Sequence, residues 1–111
     1  MSYLSKDYRL NSQRDFSRIY RSGSKWHTHS FVAFFMPDEK FSFGFVTSKK
    51  IGNAVVRNKA RRRLRAVVND LASKLKTGKY IFVAKDTLAH NDYDKLKKDF
   101  HFAFKRLELY K

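Results

Sequence analysis

The 111-residue chain has no cysteine, a single proline and four glycines. Without cysteine there is no disulfide framework and no Cys-ligated zinc, a composition suited to a reducing compartment. So few breakers leave no Pro/Gly-rich linker or low-complexity segment, and no internal repeat is visible, so residues 1–111 read as one compact domain. No apolar run approaches the ~20 residues of a membrane span, and Met1-Ser-Tyr-Leu-Ser-Lys does not begin a signal peptide. The expected location is the cytoplasm.

Negative charge is scarce too. Ten acidic residues face 25 Lys and Arg, for a net charge of +15, and no Asp or Glu lies between Lys40 and Asp70. That excess goes far beyond what solubility requires. It raises encounter rates with polyanions and makes affinity for them steeply salt-dependent. A membrane surface is a weaker match, because no helix in the pattern joins a Lys/Arg face to an exposed aromatic one.

Catalytic constellations are missing as well. A protein enzyme needs a nucleophile with its base, paired carboxylates or a metal cluster. Asp38 and Glu39 fall in a turn, while Asp86, Asp92, Asp94 and Asp99 fall in the last loop and helix, so no carboxylates bracket the basic segment for a two-metal nuclease site. His27 and His29 have metal-like spacing but no third ligand nearby, and His90 and His101 have no visible partner. There is no Walker loop and no Gly-x-Gly-x-x-Gly. No catalytic or metal residue is assigned.

What is present centres on Ser48 to Arg65, whose last nine residues carry six cations. At about 100° per residue, Ala60, Leu64, Val67, Val68, Leu71 and Leu75 share an apolar arc, with Asn58, Arg61, Arg62, Arg65 and Asn69 opposite. This is a helix with a buried stripe and a cationic face. Arginine suits phosphate because its planar fork donates in pairs and keeps its charge. The cations crowd the helix N-terminus, where the dipole disfavours them by about 0.3–1 kcal/mol each. In the loop ahead of it Gly52 permits close backbone approach, and the first N–H groups of the helix add an anion site.

Around this segment the chain reads in order as follows. Residues 1–11 are polar and extended, with Tyr3, Tyr8 and Leu10 as anchors. Ser12 and Asp15 form a capping box for a short helix ending near Arg21 and Gly23, with Phe16, Ile19 and Tyr20 on one face. Lys25 to His29 forms a short edge strand. Phe31–Met36 and Phe41–Ser48, joined by Pro37 to Lys40, read as a hairpin whose first strand is apolar on both sides. Tyr80–Ala84 is a buried strand, and Asn91 with Asp94 caps a last helix whose Tyr93, Leu96, Phe100, Ala103, Phe104 and Leu107 repeat at helical spacing. The sum is an α+β fold of order αβββαβα, a two-layer split βαβ sandwich with about four strands and three helices.

The string Ser48-Lys-Lys-Ile-Gly-Asn-Ala-Val-Val-Arg-Asn58, followed by Arg61-Arg62 and Arg65, resembles the RNR motif of the protein subunit of bacterial ribonuclease P. Arg9-Leu10, Asp15-Phe16, Ile19-Tyr20, Gly23, Phe31-Val32, Phe34 and Tyr80 to Ala84 extend the resemblance over nearly the whole chain. It departs from the family at Arg61, where Lys is usual, and at Lys85, where Arg is common. The resemblance implies a ribonucleoprotein in which a catalytic RNA with magnesium ions removes the 5′ leader from precursor tRNA, an endonuclease whose protein is a small, monomeric, non-catalytic subunit binding no cofactor itself. It implies that Lys49, Lys50, Asn53, Arg57, Asn58, Lys59, Arg61, Arg62 and Arg65 contact the ribonuclease P RNA, and that Phe16, Tyr20 and Phe34 line a cleft for the leader. It further implies a left-handed strand–helix–strand crossover, where about 98% of such connections are right-handed. A ribosomal protein of similar fold and an autonomous metal-dependent nuclease are the rival readings.

Overall fold

A computed structural model describes residues 8–90 and 92–111. Its elements are α1 (Gln13–Ser22), β1 (Ser24–His27), β2 (Phe31–Pro37), β3 (Ser42–Val46), α2 (Ala54–Leu71), β4 (Gly78–Ala84) and α3 (Tyr93–Arg106). This is the order αβββαβα. The anchor Tyr3 and the capping residue Asn91 lie outside the described residues.

The four strands form one mixed sheet in the order β1-β2-β4-β3. β1 and β2 are antiparallel, β2 and β4 are antiparallel, and β3 runs parallel to β4. Contrary to the expectation from sequence, β2 and β3 are not a hairpin, because β4 lies between them. β4 is apolar on both faces, so burial is greatest when it takes a central place. The hairpin is instead β1–β2. Its turn is held by Thr28, whose Oγ1 accepts from Ser30 N (3.2 Å) and Phe31 N (2.9 Å) and donates to Phe31 O (2.7 Å). His29 therefore sits in the turn and not beside His27 on one strand face.

Alternation divides the sheet into two faces. Phe31, Ala33, Phe35, Phe43, Tyr80 and Phe82 are buried with Leu64, Val67 and Val68 of α2 and with Leu96, Phe100 and Phe104 of α3. That is the main two-layer sandwich. On the other face Leu10, Ile19 and Ile81 make a smaller buried cluster, with Phe16, Phe34, Met36, Val46 and Val83 half-covered around it. The short helix α1 caps this face without closing it. Lys79 Nζ lies 3.1 Å from Asp15 Oδ1, tying α1 to β4. A half-buried surface pair contributes about 1 kcal/mol, whereas burying Ile19 contributes about 1.5–3 kcal/mol, so the apolar contact does most to hold α1 in place.

The helix ends follow local chemistry. Ser12, Asn53 and Asp92 cap α1, α2 and α3, accepting from Asp15 N, Val56 N and Lys95 N respectively. Asp92, rather than the Asn91–Asp94 pair expected from sequence, is the cap of α3. Gly23 ends α1 in an extended conformation, and glycine is needed there for space: a Cβ would lie 2.6 Å from Ile19 O and 2.9 Å from Phe35 O. α2 stops at Leu71, so Leu75 is not part of it. Leu75 is buried instead by bridging to Tyr110, with Lys76 N donating to Leu109 O at 2.8 Å.

Candidate RNA interface

β3 is an edge strand, and the segment before α1 runs beside it through one bridge, Arg9 to Phe43, with Leu10 N donating to Phe43 O at 2.9 Å. Beyond that bridge the edge opens into a cleft of about 680 Å³. Tyr8, Arg9 and Leu10 line one side, Phe16, Phe43, Gly44 and Phe45 the floor, and Asn58, Arg61, Arg62 and Arg65 of α2 the far wall. Four of the nine residues assigned to RNA from the sequence thus meet in one place, opposite Phe16.

The wall follows from helical spacing. Ala60, Leu64, Val67 and Val68 bury one stripe of α2. That turns Asn58, Arg61 and Arg62 outward, with Arg65 half-buried at the cleft's inner end. Asn58 Oδ1 accepts from Arg61 Nη2, which orients one guanidinium over the cleft. Arg63 points elsewhere, donating from Nη1 to Leu88 O at 3.0 Å, and belongs to the support of the helix.

The other assigned residues lie outside the cleft, around the start of α2. Lys49 and Lys50 sit exposed on a short 3-10 turn, and Lys59 is exposed on the helix. Asn53 uses its Oδ1 to cap the helix, accepting from Val56 N at 3.0 Å. Arg57 is half-buried in the first turn with its Nε enclosed. Gly52 precedes them at φ 149°, a conformation that L side chains rarely adopt, and a Cβ there would press on Val56 at 3.0 Å. The glycine makes the turn that delivers these cations to the helix start. α2 has no acidic residue in its first turn and no basic residue in its last. α1 and α3 carry Asp15 and Asp94 in the first turn and basic residues in the last. Among the described helices only α2 opposes its own dipole, which costs stability unless an anion lies against its N-terminal half.

Phe16 joins this cleft to the second sheet face. Its ring fills the space over Gly44, where a Cβ would stand only 2.8 Å from Cζ. Phe16 and Tyr20 rings are 6.1 Å apart, and Tyr20 meets Phe34 edge-on at 5.0 Å. The three aromatics that the resemblance assigns to a leader cleft are therefore contiguous, although Tyr20 and Phe34 do not line the Arg-walled space itself. Tyr20 is exposed at 44%. Burial of the rest of its ring raises the phenol above its ordinary value of 10.0.

Tyr8, Arg9, Phe43 and Phe45 were not assigned from the sequence to the site, though they line it. Arg9 had a legible signal: beside the buried Leu10, an extended segment turns it outward. Phe43 and Phe45 were legible only as core. Lys85 has a definite structural place, donating from Nζ to Thr28 O at 2.6 Å and supporting the β1–β2 turn.

No helix among the described residues is long and apolar enough to cross a membrane. The family profile described as Ribonuclease P matches residues 4–108. The Ribonuclease P protein component of a Nitratiruptor species is 36% identical over 99 residues, covering 89% of this chain and 91% of its own. That of Bacillus cereus is 32% identical over 107 residues, covering 93% of each. A Staphylococcus aureus RNase P protein, in a mutant described as having defective mRNA degradation activity, superposes with a TM-score of 0.86 at 27% identity, covering 95% of this chain and 92% of its own. The RNase P protein of Thermotoga maritima shares the fold with a TM-score of 0.78 at 24% identity, covering 88% of this chain and 96% of its own. With the arginine wall, the contiguous aromatics and the αβββαβα order on the same chain, this protein belongs to the ribonuclease P protein family.

Proposed function

We propose that the protein binds the catalytic RNA of ribonuclease P through α2 and the turn before it, and holds the single-stranded 5′ leader of precursor tRNA against the α1 side of the sheet. The observation that carries this reading is the continuity of the two surfaces. One cleft has guanidinium groups on one wall and, through Phe16, an aromatic path to Tyr20 and Phe34 on the other. Guanidinium forks fix phosphates, and aromatic rings stack any base at about 1–3 kcal/mol each, which suits a leader that differs in every precursor.

In this reading the RNA performs the hydrolysis and the polypeptide positions the substrate and lowers charge repulsion beside it. Magnesium does not fit the cleft. Its polar side chains are four guanidinium groups, which repel a cation and have no lone pair for it, a tyrosine hydroxyl, and the Asn58 amide, whose Oδ1 already accepts from Arg61. We assign the ions of the reaction mainly to the RNA. We also place the protein in the cytoplasm as a monomer outside its complex, since a charge of +15 opposes self-association.

Reconstitution tests the reading. Purified protein alone should leave precursor tRNA intact, while protein added to ribonuclease P RNA at low magnesium should stimulate production of the mature 5′ end. Cleavage by the protein alone, or no stimulation of the RNA, would overturn it.

A further inference from the structure

α3 has a second cationic face that the cleft does not use. At about 100° per residue Lys95, Lys98, Phe102, Lys105 and Arg106 fall in one arc, opposite the buried Leu96, Phe100, Ala103 and Phe104. Phe102 stands out at 54% exposed, more than any other aromatic ring among the described residues. This is the pairing of a cationic helix face with an aromatic that the sequence pattern alone did not reveal. Lys105 and Arg106 complement the C-terminal dipole and need no ligand to explain them. Lys95 and Lys98 lie away from that end, and an exposed phenylalanine ring gains nothing from water.

The surroundings extend the patch. The Arg106 guanidinium lies 4.6 Å over the Trp26 ring of β1, and the Trp26 and Phe102 rings are 5.9 Å apart. A shallow space of about 460 Å³ lies among Phe102, Lys105, Arg106 and Glu108. Two acids flank the α3 arc: Asp99, which accepts from Ser30 Oγ at 2.6 Å, and Asp94, which complements the dipole in the first turn.

The sheet register links this patch to the leader path. Gly44, Ile81, Phe34 and Lys25 stand side by side across β3, β4, β2 and β1. Phe16 rests over Gly44 and Tyr20 on Phe34, and the row ends at the exposed Lys25 on the β1 edge. The next residue is Trp26, whose ring turns to the α3 side. A single strand that crosses the α1 face from Phe16 to Phe34 meets the cations and aromatics of α3 as soon as it rounds β1.

We propose that β1 and the outer face of α3 form a second single-stranded RNA subsite, taking leader nucleotides beyond those held at Phe16, Tyr20 and Phe34. This rests on the leader reading of the cleft. Continuity with that path and the local excess of cations favour RNA. A second copy of a chain with net charge +15 is disfavoured by repulsion, and one ring on a 14-residue helix gives little apolar area for a lipid surface.

The test uses reconstituted holoenzyme and two precursor tRNAs, one with a leader long enough only to reach Phe34, the other with the same leader extended by unpaired nucleotides. The extended leader should bind more tightly. Phe102→Ala should erase that gain, a drop of about tenfold, and leave the short leader unchanged. Phe102→Tyr should keep the gain, and Lys95→Gln with Lys98→Gln should lower the salt dependence for the extended substrate only. No gain from extension, a gain that survives Phe102→Ala, or equal weakening of both leaders would overturn the subsite. So would Phe102→Ala abolishing a dimer, or binding to phosphatidylcholine–phosphatidylglycerol vesicles, while the leader gain persists. Tyr20→Ala separates the two levels: it should weaken both leaders, and if it weakens neither, the cleft reading fails whatever Phe102 does.

Discussion

Tyr80 shows how one side chain is bound to the packing of the whole sheet. Its ring is fully buried between Phe35 at 4.8 Å and Phe43 at 5.4 Å, and its hydroxyl donates to Lys76 O at 2.6 Å. Burial disfavours the phenolate and pushes the phenol far above its ordinary value of 10.0. Below that value Tyr80 holds its proton in both folded and unfolded chains, and its contribution to stability is constant. Above it the unfolded chain gives up the proton while the folded chain keeps it, so stability falls as pH rises, by at most about 1.4 kcal/mol per pH unit for one group. Tyr80→Phe should lose about 0.5–1.5 kcal/mol at neutral pH with the hydrogen bond, yet flatten the alkaline decline. Urea midpoints measured on both sides of pH ~10 check this, and parallel declines in the two proteins would refute it. Tyr20 and Tyr110 are shifted the same way by burial and leave a residual slope.

At the scale of elements, the stripe of α2 was legible because period and composition agree: each residue placed on its apolar arc is buried, from Ala60 to Leu71. The cap at Ser12 was legible for the same local reason. Strand partners were not. β2 and β3 are separated by a short turn, and nothing within either shows that β4, arriving after an 18-residue helix, displaces their direct pairing. That preference is non-local, set by β4 being apolar on both faces. Periodicity also sets Arg63 apart, since at about 100° per residue it falls beside Val67 at the edge of the apolar arc, away from Arg61, Arg62 and Arg65; its partner, Leu88 O, lies too far along the chain to be read from the helix. This division of the arginines is testable. Arg65→Ala should weaken binding to the RNA subunit and lower the slope of log affinity against log salt by about 0.7–0.9 for each phosphate it no longer neutralises. Arg63→Ala should lower thermal stability and leave that slope alone. Titrations over a range of KCl concentrations distinguish them, and an unchanged slope for Arg65→Ala would remove that helix face from the interface.

Across the whole molecule, charge and apolar surface are assigned to different tasks. The α2–α3 side of the sheet is a filled core, while the α1 side keeps Phe34, Met36, Val46 and Val83 half-covered. A net charge of +15 attracts mature tRNA as readily as its precursor, because both present phosphates. Under the proposed function, discrimination would come from what only the precursor has, an unpaired leader with exposed base faces. Of the aromatics proposed to hold the leader, Phe16 is the one that also lines the arginine cleft, so on that proposal it is where charge-driven binding would pass into base stacking. Phe16→Ala in the holoenzyme should weaken precursor binding by about fivefold to a hundredfold, the worth of one stacked base, while mature tRNA binds as before. Competition between the two tRNAs for the same enzyme gives the ratio directly. A drop shared equally by both would make Phe16 a spacer over Gly44 and nothing more, and would return the preference for precursor to the catalytic RNA.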